Sequence, residues 1–279
     1  ALSVLTEEDH FGGTLEDLDA FVHFAGALRT VCPQEFYTGN RDATATVVDA
    51  ASRFGGRLQH LVFGSSIAAI GPSPHPEVLR DEDCVPAPNS HYGRSKLAAE
   101  QEVRGSTVDW TILRLGPVYG PYDLAGLHIL RTARAGILPQ VGRGPHMLSY
   151  IHAQDVARLL ARVILNERLY RGTYAVCYDT PIDLLEYCRL CREAMGLDPR
   201  VLQLPLPWIA GQALIAWYGL LRRLSRRPSI VQPDKVREAM ARHWVQDNRR
   251  LREALELAEI REQGALREMV AWYRASGLV

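Results

Sequence analysis

The run His60-Leu61-Val62-Phe63-Gly64-Ser65-Ser66 is apolar for most of its length and breaks off in two hydroxyls. A strand covered by helices on both faces reads this way, because it has no solvent face on which polar residues would alternate. Its carboxyl end is where an open α/β sheet presents polar groups to a ligand. Asp109-Trp110-Thr111-Ile112-Leu113-Arg114-Leu115 reads as a second such strand. It stops at Gly116-Pro117-Val118-Tyr119-Gly120-Pro121, a turn at which a ligand can come close to the backbone. Patterning outward from these runs predicts strands over 20–25, 60–66, 109–115 and 173–178, and helices over 40–54, 91–104, 124–135 and 153–166. Alternating strand and helix mean a doubly wound parallel sheet, the α/β class.

Between the two strands, His91-Tyr92-Gly93-Arg94-Ser95-Lys96-Leu97-Ala98-Ala99-Glu100 reads as the first turns of a helix. Four residues apart, Tyr92 and Lys96 share one face. A phenol ionises near pH 10 in water, but a cation about 4 Å away contributes roughly 4 kcal/mol at an effective dielectric near 20, or up to about three pKa units before screening. Such a shift makes Tyr92 a proton donor or acceptor usable near neutral pH. A lone Tyr-x-x-x-Lys is a weak pattern, and the strand that ends in Ser66 is what strengthens it.

In this order the pieces resemble the extended short-chain dehydrogenase/reductase family, which includes NAD-dependent epimerases and dehydratases of nucleotide sugars, 3-beta-hydroxysteroid dehydrogenases and dihydroflavonol reductases. Asp19-Ala20-Phe21-Val22-His23-Phe24-Ala25-Gly26 looks like the family's fourth strand, and Asn40, Ala43 and Thr44 fit the helix after it. Asp81-Glu82-Asp83 through Pro88 fits the approach to the tyrosine, and Tyr150-Ile151-His152-Ala153-Gln154-Asp155-Val156-Ala157 a later motif. Ala271-Trp272-Tyr273-Arg274-Ala275-Ser276-Gly277-Leu278 looks like the closing helix, so the resemblance runs from about residue 17 to the end. It implies a Rossmann-like sheet domain with a smaller, mostly helical substrate lobe, residues 1–177 and 178–279, interleaved. It also implies Tyr92 as general acid/base, Lys96 as the group that lowers its pKa and bonds the nicotinamide ribose, and Ser66 as the group that holds the substrate oxygen. NAD or NADP is then expected against Phe24, Ala25, Gly26, Asn40, Ser65, Tyr92, Lys96, Pro117 and Val118. In many relatives the helices at 40–54 and 91–104 pair across a two-fold axis, so a homodimer is expected, with Val47, Val48, Ala51 and Phe54 shared between sheet and partner.

The front departs from the pattern. Ser3-Val4-Leu5-Thr6 reads as a first strand, yet Glu7-Glu8-Asp9-His10 follows where a pyrophosphate needs bare backbone amides at a helix N-terminus. Gly12-Gly13 is too short a pattern to replace a glycine-rich loop. No acidic or basic residue closes a second strand, so the choice between NAD and NADP is open. Ser66, Tyr92 and Lys96 have little reason to persist together without a cofactor. The expectation is therefore a glycine loop outside the sequence as given, against a degenerate binding module that has lost the site.

With 279 residues, 47% hydrophobic and 23% charged, at a formal net charge of zero, the chain can bury a large core and carries no bias toward nucleic acid. Cys32, Cys84, Cys177, Cys188 and Cys191 form no disulfide framework or metal-ligand set, and no secretory signal is visible, so free thiols, no metal and a cytoplasmic location are expected. Pro181 is expected to open a helix that Gly196 ends. Leu204-Pro205-Leu206-Pro207-Trp208 begins an apolar segment reaching Leu224, with arginines at 222, 223, 226 and 227. Its stretch from Trp208 to Leu221 is too short to span a membrane, and a lid helix over the cleft is favoured over membrane contact. Ile67-Ala68-Ala69-Ile70 after Ser66 lacks the acidic pair expected of a sugar dehydratase. The resulting expectation is a reductase or dehydrogenase interconverting a ketone and a secondary alcohol on a hydrophobic small molecule. A nucleotide-sugar 4-epimerase using Arg134 and Arg143 is the alternative.

Overall fold

The computed structural model describes residues 18–30, 32–54, 57–123, 126–213, 216–217, 233–261 and 265–279. The expected first strand at 3–6, Leu214 and the four arginines at 222–227 lie outside them.

Four parallel strands, Ala20–His23, His60–Ser66, Asp109–Leu115 and Gly172–Val176, lie side by side in that order. Successive side chains point to opposite faces, and both faces are covered. Leu61 and Phe63 face one way with Trp110 and Ile112, against Val47 of the helix Ala43–Phe54 and Ala99 and Val103 of the helix His91–Arg104. Val62, Leu113 and Val176 face the other way, against Val156, Leu159 and Val163 of the helix Ala153–Val163. This double cover is why the strand at 60–66 reads as a nearly unbroken apolar run. It also makes the protein α/β with a Rossmann-like sheet, as expected.

The helix expected from residue 40 is longer. A single turn, Pro33–Phe36, runs through a π-helical stretch, Tyr37–Asp42, into Ala43–Phe54. Val47 and Ala51 are buried within the chain, and Val48 is half-buried against the same cluster as Val47.

Beyond residue 178 the chain returns to the strands before it. Leu202–Leu206 pairs parallel with Ile137–Val141, and Met147–Leu148 lies between Ile182–Asp183 and His243–Trp244. Pro181 therefore precedes a short strand, and the helix starts later, over Leu184–Ala194. The segment expected as a lid begins as the strand Leu202–Leu206. Beyond that strand, Trp208 and Trp217 are 63% and 57% exposed. No described helix is long and apolar enough to cross a membrane.

Candidate active site

Loops at the carboxyl ends of the central strands, the Tyr92 helix and the helix Pro233–Met240 enclose a cavity of about 610 Å³. Three local devices place Tyr92 in its wall. Ser90 caps the helix, its hydroxyl accepting the Gly93 N–H at 2.9 Å. Gly93 lets the helix lie against the turn Ile67–Ile70, since a Cβ there would stand 2.3 Å from the Ala68 carbonyl oxygen. Ser66 caps that turn by accepting the Ala68 N–H at 3.2 Å, which puts its hydroxyl beside the phenol.

Lys96 is buried one turn further on, but its ammonium does not close on the phenol. Nζ donates to the Gly64 carbonyl at 2.6 Å and sits 4.3 Å from the centre of the Phe63 ring. Burial lowers its pKa to about 8, against the opposing pull of Glu100. Tyr92 departs from expectation: its pKa is raised, not lowered, because burial penalises the phenolate. The opposing influences are first the charge of Lys235 and then a hydrogen bond from Ser66, while Glu238 pushes the same way as burial. Tyr92 thus rests as a phenol, a proton donor.

The expected cofactor residues divide by what their atoms do. Phe24, Gly26, Asn40, Ser65, Pro117 and Val118 line the cavity together with Ser66, Tyr92 and Lys96. Ala25 is exposed and does not line it. Ser65 donates its hydroxyl to Glu100 at 2.6 Å, and Glu100 also accepts Arg114 Nε at 3.0 Å and Nη2 at 2.8 Å, so the Ser65 proton is directed to Glu100. Asn40, in the π-helical stretch, accepts the Ala27 N–H at 2.7 Å and donates to the Ala27 carbonyl at 3.2 Å and to Ser95 Oγ at 2.8 Å. It ties the strand-end loop to the Tyr92 helix, a use consistent with π-bulges being placed near functional sites. Gly26 keeps the wall open: a Cβ there would lie 2.7 Å from Asn40 Oδ1 and 3.8 Å from Lys96 Nζ. The turn after the third strand is pressed close, a Cβ on Gly116 falling 1.8 Å from the Ser149 carbonyl oxygen, and the Pro117 carbonyl accepts the Ile151 N–H at 3.1 Å.

The bare wall at Gly26, the lysine at its edge and the phenol beyond fit the nicotinamide end of a dinucleotide. The family model described as "NAD dependent epimerase/dehydratase family" matches residues 4–177. The chain belongs to that family. It is 26% identical over 291 residues to UDP-glucose 4-epimerase of Azospirillum brasilense, covering 92% of this chain and 74% of that protein. It is 27% identical over 249 residues to 2'-dehydrokanamycin reductase of Streptomyces kanamyceticus, covering 80% and 68%. The structure of MoeE5 in complex with UDP-glucose and NAD superposes with a TM-score of 0.71 at 20% identity, over 96% of this chain and 83% of that one, a likeness of fold. Other curated relatives are longer, and the chain spans 56% and 62% of the length of two of them.

Sequence reading missed the contribution of the helix Pro233–Met240. Asp234 Oδ2 accepts the Tyr92 N–H at 3.0 Å, Lys235 Nζ stands 4.6 Å from the centre of the Tyr92 ring, and Glu238 accepts the Ser90 hydroxyl at 2.7 Å. Pro233 and Asp234 are a legible helix start, but no local signal says where that helix docks. Among the described residues, no three His, Cys, Asp or Glu side chains are placed to hold a metal.

Proposed function

We propose that this chain belongs to an NAD(P)-dependent oxidoreductase that interconverts a ketone and a secondary alcohol on a hydrophobic small molecule. The observation that carries the reading is the protonated phenol of Tyr92 in the wall of a cavity whose substrate side is built from Ile129, Leu148, Leu184, Tyr187 and Trp244. Arg134 and Arg143, which would serve a nucleotide diphosphate, do not line it. The family, and the NAD named with MoeE5, support the cofactor.

Lys96, Gly26, Phe24, Pro117 and Val118 would hold the nicotinamide end, and the bound cofactor supplies or accepts a hydride. In the reductive direction the substrate oxygen lies against Ser66 and Tyr92. The Tyr92 O–H proton moves to that oxygen as the carbonyl becomes an alcohol, leaving a phenolate; oxidation runs the same transfer backwards. Burial excludes water from the phenol and strengthens each charge around it.

A nucleotide-sugar 4-epimerase is the second reading, favoured by the likeness to the Azospirillum enzyme. Assays of NADH and NADPH oxidation with hydrophobic ketones, set against turnover of UDP- and dTDP-sugars, separate the two. Ketone reduction that falls roughly 100-fold or more in Tyr92→Phe, with an unchanged circular dichroism spectrum, is the expected result. Turnover of nucleotide sugars without ketone reduction would replace it with the epimerase. A folded protein that binds no dinucleotide would leave a degenerate binding module.

A further inference from the structure

We propose that Lys235 is a positioning residue for Tyr92, a second lysine brought from the carboxyl-terminal part of the chain to hold the phenolate that proton transfer leaves behind. The inference rests on the acid/base reading of Tyr92 and adds a group to it. Its basis is geometric. Lys235 Nζ lies 4.6 Å from the Tyr92 ring centre, and Glu238 Oε2 fixes the ammonium at 2.7 Å. Both side chains line the same cavity as Tyr92. Lys96, the helical neighbour, directs one of its three N–H donors to the Gly64 carbonyl.

The supporting contacts leave little freedom in this docking. Asp234 receives the Tyr92 N–H, so a carboxylate sits at the first turn of the Tyr92 helix, where the helix dipole favours it. Glu238 receives the Ser90 hydroxyl, and Asn89 Nδ2 reaches the Arg237 carbonyl at 3.4 Å. The helix Pro233–Met240 is thereby registered on the residues that precede and cap the Tyr92 helix.

The charged or titratable groups around Tyr92 are Lys235, Glu238 and Asp234 from this helix, and His91 and Lys96 from its own; the strand end adds the neutral hydroxyl of Ser66. Burial lowers the Lys235 pKa, but the negative charges of Glu238 and of an ionised Tyr92 outweigh it, so the net shift is upward. A cation at this range favours the phenolate, and an anion opposes it.

The test is the titration of Tyr92, read by NMR of protein carrying 13Cζ-tyrosine, with the signal assigned from Tyr92→Phe, alongside kcat and KM against pH. Lys235→Met should move the Tyr92 midpoint and the matching limb of the kcat profile to higher pH by about one unit or more, and lower kcat roughly 10-fold. Lys235→Arg should restore much of both. Glu238→Gln, which keeps a side-chain oxygen for Ser90, should move the midpoint to lower pH. A merely structural role would lower stability or kcat and leave the midpoint in place. Unmoved midpoints in folded Lys235→Met and Glu238→Gln proteins would overturn the proposal. If instead the midpoint moves but Tyr92→Phe keeps full turnover, the pairing stands and the acid/base reading falls. Should Lys235→Met not fold, Lys235→Gln and the opposite shift in Glu238→Gln carry the test.

Discussion

Gly26 shows how much of the site depends on an atom that is not there. Its neighbour Asn40 is held by three hydrogen bonds and cannot swing aside, so a Cβ at 2.7 Å from Oδ1 must displace either the loop or the π-helical turn. Gly26→Ala is expected to cost about 1–3 kcal/mol of stability and to weaken dinucleotide binding roughly 10-fold. Thermal melting and calorimetric titration with NAD and NADP check this, and wild-type values in both would mean that the wall yields. The same residue scale explains why Ser65 and Ser66, adjacent in sequence, differ in use. Alternation along a strand sends one toward Glu100 and leaves the other at the strand end to cap a turn beside Tyr92.

Elements are locked together by the group that Ser65 joins. Glu100 on the Tyr92 helix binds Ser65 at the end of one strand and Arg114 near the end of the next, with both charges almost fully buried. Arg104, exposed one helical turn on, adds a longer contact at 3.6 Å. Removing one charge leaves the other buried and unpaired, so Glu100→Gln should destabilise the protein by roughly 3–5 kcal/mol in urea unfolding. Activity per folded molecule should fall as well, because the strand that carries Ser66 and the helix that carries Tyr92 lose their tie. A loss below about 1 kcal/mol would show that Arg114 finds another partner. The strand ends and the Tyr92 helix were legible because apolar runs and helical spacing are local signals. The π-helical stretch before Ala43 and the strand at Leu202–Leu206 were not, since each is decided by the element it docks against.

For the whole molecule, acid should unfold the chain through two buried histidines. His60 accepts the Leu165 N–H on Nδ1 at 3.1 Å, which leaves Nε2 to donate to Thr111 Oγ1 at 2.8 Å; that hydroxyl in turn donates to the Leu169 carbonyl. His23 pairs through Nε2 with Thr44 Oγ1 at 3.0 Å. Burial lowers both pKa values to about 4, with the charge of Lys96 adding to the effect at His23 and Asp109 opposing it at His60. Unfolded histidine titrates near 6.5, so between about 6.5 and 4 the unfolded chain binds more protons, and stability is lost as the pH falls through that window. Each histidine contributes up to about 3 kcal/mol to that loss. Urea midpoints measured from pH 7 to pH 4 should fall steeply, and less so in His60→Gln; a flat profile would contradict the burial of both rings.

By itself the sequence determined the parallel sheet, the helices on its faces, the strand-end position of Ser66 and the common face of Tyr92 and Lys96. Burial of a strand on both sides and the 3.6-residue repeat write themselves into neighbouring residues. Only the tertiary structure decided the electrostatics. Desolvation and charge act through space, and the groups that matter most to Tyr92 lie 142 residues away in the contact from Asp234. So Tyr92 rests protonated, Lys96 turns to a backbone carbonyl, and the cation over the phenol ring is Lys235.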